Sequence, residues 1–150
     1  MAATFLPDDP QRAAELFAIG FEGFAAVYDD ENAIMAGVDA MLGESDADVV
    51  SDPRLRPLIF AFFSEAMRPG PWGGAWDNVA WIGSWDIDLR NVACPVHLWY
   101  GERDHMAPPA HGQWLADQLP QAELLVRPGE GHLGVVRHWQ EMLQTLTAST

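Results

Sequence analysis

Apolar residues in the first half of the chain recur at three- and four-residue steps. Ala13, Leu16, Phe17, Phe21, Phe24, Val27 and Tyr28 make one stripe, which predicts an amphipathic helix broken at Asp30-Glu31-Asn32. A second helix is predicted from Ala33 to Leu42, with Gly43 as its C-cap. The acidic run Glu44 to Asp52 reads as a solvated loop. Ser51-Asp52-Pro53 is a helix-start signal with Pro at the first helical position. Leu55, Leu58, Ile59, Phe62, Phe63 and Met67 then give the most regular helical spacing in the chain. Pro69-Gly70-Pro71 ends that helix and, with Gly73 and Gly74, marks the clearest boundary in the sequence.

Beyond the boundary the texture changes. A short helix is predicted around Ala75 to Ile82, followed by a loop from Trp85 to Asn91. Pro95 opens the unbroken apolar run Val96-His97-Leu98-Trp99-Tyr100, closed by Gly101. Its shortness and its β-branched and aromatic content predict a buried strand, expected to be parallel. Pro108-Pro109 starts a helix expected to bury Ala110, Trp114, Leu115 and Leu119 and to end near Pro120. Glu123 to Arg127 is a second short strand, and Pro128 to His132 a glycine-rich turn. Val135, Trp139, Met142, Leu143 and Leu146 mark a last helix. Strand, helix, strand, helix argues for a parallel sheet with covering helices. Two strands alone cannot bury both faces of such a sheet, so the core reads as incomplete or in need of a partner.

Chemistry gathers on the loops after the strands. In open parallel sheets, sites form beyond the C-terminal strand ends. The loop after the first strand is Gly101-Glu102-Arg103-Asp104-His105, and the loop after the second is Pro128-Gly129-Glu130-Gly131-His132. If the strands are neighbours, Asp104 and His132 share one rim. A carboxylate beside a histidine selects one ring tautomer and stabilises the imidazolium formed when the ring accepts a proton. Gly129 and Gly131 let the backbone turn tightly enough to bring His132 over the strand ends.

Composition narrows the classes of partner. The chain of 150 residues is 49% hydrophobic and 20% charged, as globular proteins are. Eight Lys and Arg against 22 Asp and Glu leave a net charge of −14, which repels nucleic-acid backbones and anionic membranes. Cys94 is the only cysteine, so an internal disulfide is excluded, which suits a reducing cytoplasm. No apolar run is long enough for a transmembrane helix. Met1 to Pro10 has no basic segment and two acids, unlike a signal peptide.

The segment Cys94–Gly134 resembles the C-terminal third of the α/β-hydrolase family: a strand ending in Gly-x-x-Asp, a Pro-containing loop and helix, a short strand, then Gly-x-Gly-His. Either half of the motif alone is weak; both together, 28 residues apart and on strand-loop positions, are specific. The resemblance covers residues 74–146 well. It implies that Asp104 is the triad acid and His132 the triad histidine, with no metal or organic cofactor. Residues 1–72 resemble, more loosely, the family's helical cap, so the expected domains are a cap segment over 1–72 and the C-terminal part of an α/β-hydrolase core over 73–150. The bland alternative is that Asp104 caps the turn after its strand and His132 caps the last helix.

The family's nucleophile motif, Gly-x-Ser-x-Gly, is missing, as are the oxyanion loop and the earlier strands. The serines are Ser45, Ser51, Ser64, Ser84 and Ser149. Only Ser45, in Gly43-Glu44-Ser45-Asp46-Ala47, comes near the motif, and it reads as a loop serine. Cys94 is expected to be a small buried residue. His105 reads as loop-lining, His111 as packed near the rim, and His97 as a satisfied core histidine. His105 with His111, or His132 with His138, is too sparse for the usual zinc set. Trp72, Trp76, Trp81 and Trp85 are read mainly as packing between cap and core, with an apolar pocket wall as the sharper alternative. Asp86 and Asp88 are read as a solvated turn rather than a reserve acid.

The sequence thus predicts an α/β fold and the C-terminal portion of a hydrolase acting on ester, amide or related small-molecule bonds. Its nucleophile would be a serine supplied elsewhere, or an aspartate as in relatives that handle halides or epoxides. The competing expectation is an inactive fragment that associates with itself or with a missing N-terminal half.

Overall fold

The computed structural model describes residues 9–84 and 86–148. The reading of the chain start, Trp85 of the tryptophan cluster and Ser149 lie outside the described residues. Among the described residues eleven elements run in the order α1 (Pro10–Ala25), α2 (Glu31–Leu42), a 3-10 turn (Glu44–Asp46), α3 (Ala47–Ser51), α4 (Arg56–Met67), α5 (Trp72–Ile82), a 3-10 turn (Leu89–Asn91), β1 (Val96–Gly101), α6 (Pro109–Gln118), β2 (Ala122–Arg127) and α7 (Gly134–Ala148). They fall into two compact units. One comprises the described residues of Met1–Ala40 and Pro53–Asp86; the other comprises Met41–Asp52 with those of Ile87–Thr150.

In the helical unit, Asp9 caps α1 by accepting the Arg12 N–H at 2.9 Å. The small residues Ala13, Ala14 and Ala18 form the buried face of α1, which packs on α5. The approach is tight: a Cβ on Gly74 of α5 would stand 3.0 Å from the Phe21 ring. On α4 the inward line runs through Ile59, Phe63 and Met67, and Phe63 stacks on Phe24 with centroids 6.2 Å apart. Leu58 and Phe62, expected on the same stripe, point outward and are exposed. The helix also starts later than Ser51-Asp52-Pro53 suggests. Pro57 takes the first-turn place, because Asp52 closes the short α3 and Pro53–Leu55 form a turn before α4.

The second unit holds the sheet. β1 and β2 pair in parallel, from Val96 opposite Ala122 to Gly101 opposite Arg127. α6 packs on both strands and α7 on β1. The buried face of α6 differs from the expected one. Ala110 and Trp114 are exposed, Leu115 and Leu119 half-buried, and the fully buried residue is Gly112. The reason is proximity: a Cβ at Gly112 would lie 2.6 Å from the Tyr100 ring and 2.9 Å from Leu124. Cys94 is exposed rather than buried, since it precedes the first ladder pair. Leu125 and Val126 of β2, and Trp139, Leu143 and Leu146 of α7, keep large exposed surfaces. A parallel sheet is normally covered on both faces.

The acidic run is the largest departure from expectation. Glu44–Asp52 is not a solvated loop: it folds into a 3-10 turn and α3, with Asp46, Val49 and Val50 buried. Arg137 of α7 ties this segment to the loop after β2. Its guanidinium donates to the Asp48 carboxylate, to the Ser45 carbonyl at 3.2 Å, and to Glu130. Glu130 also meets His138 Nε2 at 3.1 Å.

Two measurements follow from this packing. A Cβ on Gly101 would come within 2.4 Å of the Gly131 carbonyl and 2.5 Å of the Glu130 carbonyl, both backbone. Gly101→Ala is expected to cost about 1–3 kcal/mol in chemical denaturation, and an unchanged midpoint would show that the loop yields freely. For Glu130, burial pushes the carboxyl upward, but the hydrogen bonds and charges of His138 and Arg137 outweigh it and hold it below its ordinary 4.5. A carboxyl depressed by folding adds stability above its unfolded-state pKa and loses it as pH falls through the folded value. The stability gap between wild type and Glu130→Gln should therefore be full near about pH 7 and shrink below about pH 4.5. Thermal melts across that range measure it, and a gap independent of pH contradicts it.

Candidate active site

β1 and β2 end side by side, and their following loops are laced together. The Glu102 N–H donates to the Arg127 carbonyl at 2.9 Å and the Arg103 N–H to the Glu130 carbonyl at 2.8 Å. Across the same gap the Gly129 N–H donates to the Glu102 carboxylate at 2.8 Å. Gly129 holds a φ of 73°, a left-handed conformation that favours glycine. These bonds set the two loops in register, so that residues 28 apart in sequence meet.

Asp104 Oδ2 lies 2.9 Å from His132 Nδ1. The other oxygen, Oδ1, accepts the N–H groups of Met106 and Ala107, each at 2.8 Å. One oxygen of Asp104 thus caps the turn, and the other faces the imidazole. Its side chain is only 7% exposed, whereas that of His132 is 38% exposed. An ionised carboxylate only accepts hydrogen bonds, so opposite it the ring donates Nδ1–H, which in a neutral imidazole leaves the lone pair on Nε2. A small cleft beside the pair includes Trp99, Tyr100, Arg127, Val135 and Met142 in its lining, with the Arg127 guanidinium 4.8 Å from the Trp99 ring centroid.

The backbone of His132 has a second carboxylate partner. Asp46, fully buried, accepts the His132 N–H on Oδ2 at 2.9 Å and the Leu133 N–H on Oδ1 at 2.8 Å. Sequence reasoning missed this residue. Asp46 sits among other acids, and its partners lie 86 and 87 residues away; only Gly131, whose Cβ would meet Asp46 Oδ2 at 2.2 Å, hints that something presses on the loop.

The other candidates disperse. Ser45 lies half-buried in the 3-10 turn before α3. His105 and His111 are exposed. His97 is only partly satisfied: Nδ1 is 3.3 Å from Glu123 while Nε2 is buried without a partner. His138 is engaged by Glu130. Both oxygens of Asp88 are taken by Arg90, whose hydrogen bonds hold the carboxyl below its usual range. Trp72, Trp76 and Trp81 of α5 are exposed rather than packed away. Among the described residues no group of three or more His, Cys, Asp or Glu is arranged to hold a metal ion, and no helix is long and apolar enough to cross a membrane.

No protein-family model matches the chain. A pimeloyl-[acyl-carrier protein] methyl ester esterase of Chromobacterium violaceum is 38% identical over 65 residues, 41% of this chain and 26% of the esterase. Among solved structures, an α/β-hydrolase enzyme from a Medee basin deep-sea metagenome library superposes with a TM-score of 0.56 at 17% identity, over 86% of this chain and 47% of that one. A thermophilic esterase from Thermogutta terrifontis gives 0.53 at 20% identity, over 89% and 49%. The chain thus spans about a quarter of the curated relative and about half of the solved structures. Its fold is that of the α/β-hydrolases, with the core incomplete.

Proposed function

We propose that this chain carries the acid and the general base of a hydrolase acting on small-molecule esters, amides or related bonds. The observation that carries the reading is the 2.9 Å contact between buried Asp104 and half-exposed His132 at the strand ends. With Nδ1–H held by Asp104, Nε2 takes the proton of a hydroxyl nucleophile as that oxygen attacks the carbonyl carbon. The imidazolium so formed is stabilised by Asp104 and then protonates the departing alkoxide or amine. The methyl ester esterase among the relatives favours an ester as the bond cleaved.

The nucleophile lies outside these 150 residues, which contain no Gly-x-Ser-x-Gly. With an aspartate in that place, the same histidine would instead activate water. On this reading residues 1–72, apart from the segment Met41–Asp52 that belongs to the sheet unit, serve as the cap, the substrate is a small molecule, no cofactor takes part, and a net charge of −14 disfavours nucleic acid and anionic membrane as partners. A cytoplasmic setting fits the single cysteine. The exposed apolar residues of β2 and α7 favour a second reading, in which the chain acts only by association with itself or with an N-terminal half that completes the sheet.

Hydrolysis of p-nitrophenyl acetate separates the two. The chain alone is expected to show little activity, and the chain supplied with an α/β-hydrolase N-terminal half bearing Gly-x-Ser-x-Gly is expected to turn over. In that assembly His132→Ala and Asp104→Asn should each lower kcat by about 10³-fold or more. Equal rates for His132→Ala and wild type would remove His132 from the chemistry. Assembly without turnover would favour the second reading.

A further inference from the structure

Asp46 lies on a segment, Met41–Asp52, that is remote in sequence from the rest of its compact unit. It is fully buried, and each of its two oxygens accepts one backbone N–H, from His132 and from Leu133. Those two residues immediately precede α7, where N–H groups have no intrahelical partner and the helix dipole favours negative charge. A buried carboxylate between two such donors is satisfied on both oxygens and fixes the positions of both donors. Gly131 makes the approach possible, since a Cβ there would stand 2.2 Å from Asp46 Oδ2 and 2.5 Å from Ser45 Oγ. The hydrogen bonds of Arg137 to the Ser45 carbonyl and to Asp48 pin the same segment from the other side.

We infer that Asp46 is a positioning residue for His132: by holding the His132 and Leu133 amides it sets the backbone from which the imidazole reaches Asp104. This rests on the reading of Asp104 and His132 as the acid and base pair. The ring has one contact to Asp104 and the main chain one contact to Asp46, so His132 is held by carboxylates at both ends. Loss of the Asp46 contact frees the loop, and the ring then loses the geometry that keeps the proton on Nδ1.

The test uses the 150-residue chain with 15N-labelled histidine and needs no turnover. In the wild type, His132 is expected as the Nδ1–H tautomer, with a downfield Nδ1 proton. Asp46→Ala should move the ring to a mixture of tautomers and speed amide exchange at His132 and Leu133 by about 10- to 100-fold over the rest of the sheet unit. Asp46→Asn keeps the size and one acceptor but turns an NH2 donor toward the other amide, so it should free that amide and shift the His132 tautomer less than Asp46→Ala does. Gly131→Ala disturbs the same contact without removing the carboxylate and should reproduce the tautomer change. If the Asp46 variants lower the melting temperature but leave the His132 tautomer intact, the inference is overturned. If Asp104→Asn in an otherwise wild-type chain leaves the tautomer unchanged, the acid and base pairing itself fails, whatever the Asp46 variants do.

Discussion

His132 stands between two buried carboxylates. Asp104 faces its ring at 2.9 Å and Asp46 accepts its main-chain N–H at the same distance. A charged group taken out of water is tolerated only when its oxygens find donors. Asp104 meets that condition with two turn amides and the imidazole, and Asp46 with two amides at the start of α7. The need to satisfy both acids fixes the loop Pro128 to His132, and the strands, turns and α7 are arranged around that loop.

Glycines make the arrangement possible. Gly101 and Gly131 each leave space that a methyl group would fill against backbone or carboxylate, and Gly129 supplies the left-handed turn. The loop is further braced by Arg137, which links Glu130 to the Ser45–Asp48 segment, and by His138 on the far oxygen of Glu130. The net charge of −14 makes such bracing consequential, because only eight Lys and Arg are present and one of them serves three partners at this point.

The same structure explains why the sheet unit exposes apolar surface. A parallel pair of strands has two faces and two edges to cover, and α6 and α7 do not cover them all. Leu125, Val126, Trp139, Leu143 and Leu146 are among the residues left over. The solved α/β-hydrolases to which the chain is similar are about twice its length, and the rest of their core lies outside the stretch it matches.

Local pattern alone determined much of this protein. Helical spacing, prolines and glycines located the main helices to within a few residues. The run from Val96 to Tyr100 and the stretch from Glu123 to Arg127 located the strands, and Gly-x-x-Asp with Gly-x-Gly-His marked Asp104 and His132. These features are legible because each depends on neighbours within a turn or a strand. What only the tertiary structure decided depends on partners far along the chain. Asp46 is buried and Asp48 is not, although both belong to one acidic run; Gly112 rather than Trp114 faces the sheet; Cys94 is exposed and His97 half-satisfied. No periodicity encodes such choices, because burial of a polar or small residue is set by which donor, ring or backbone the fold brings against it.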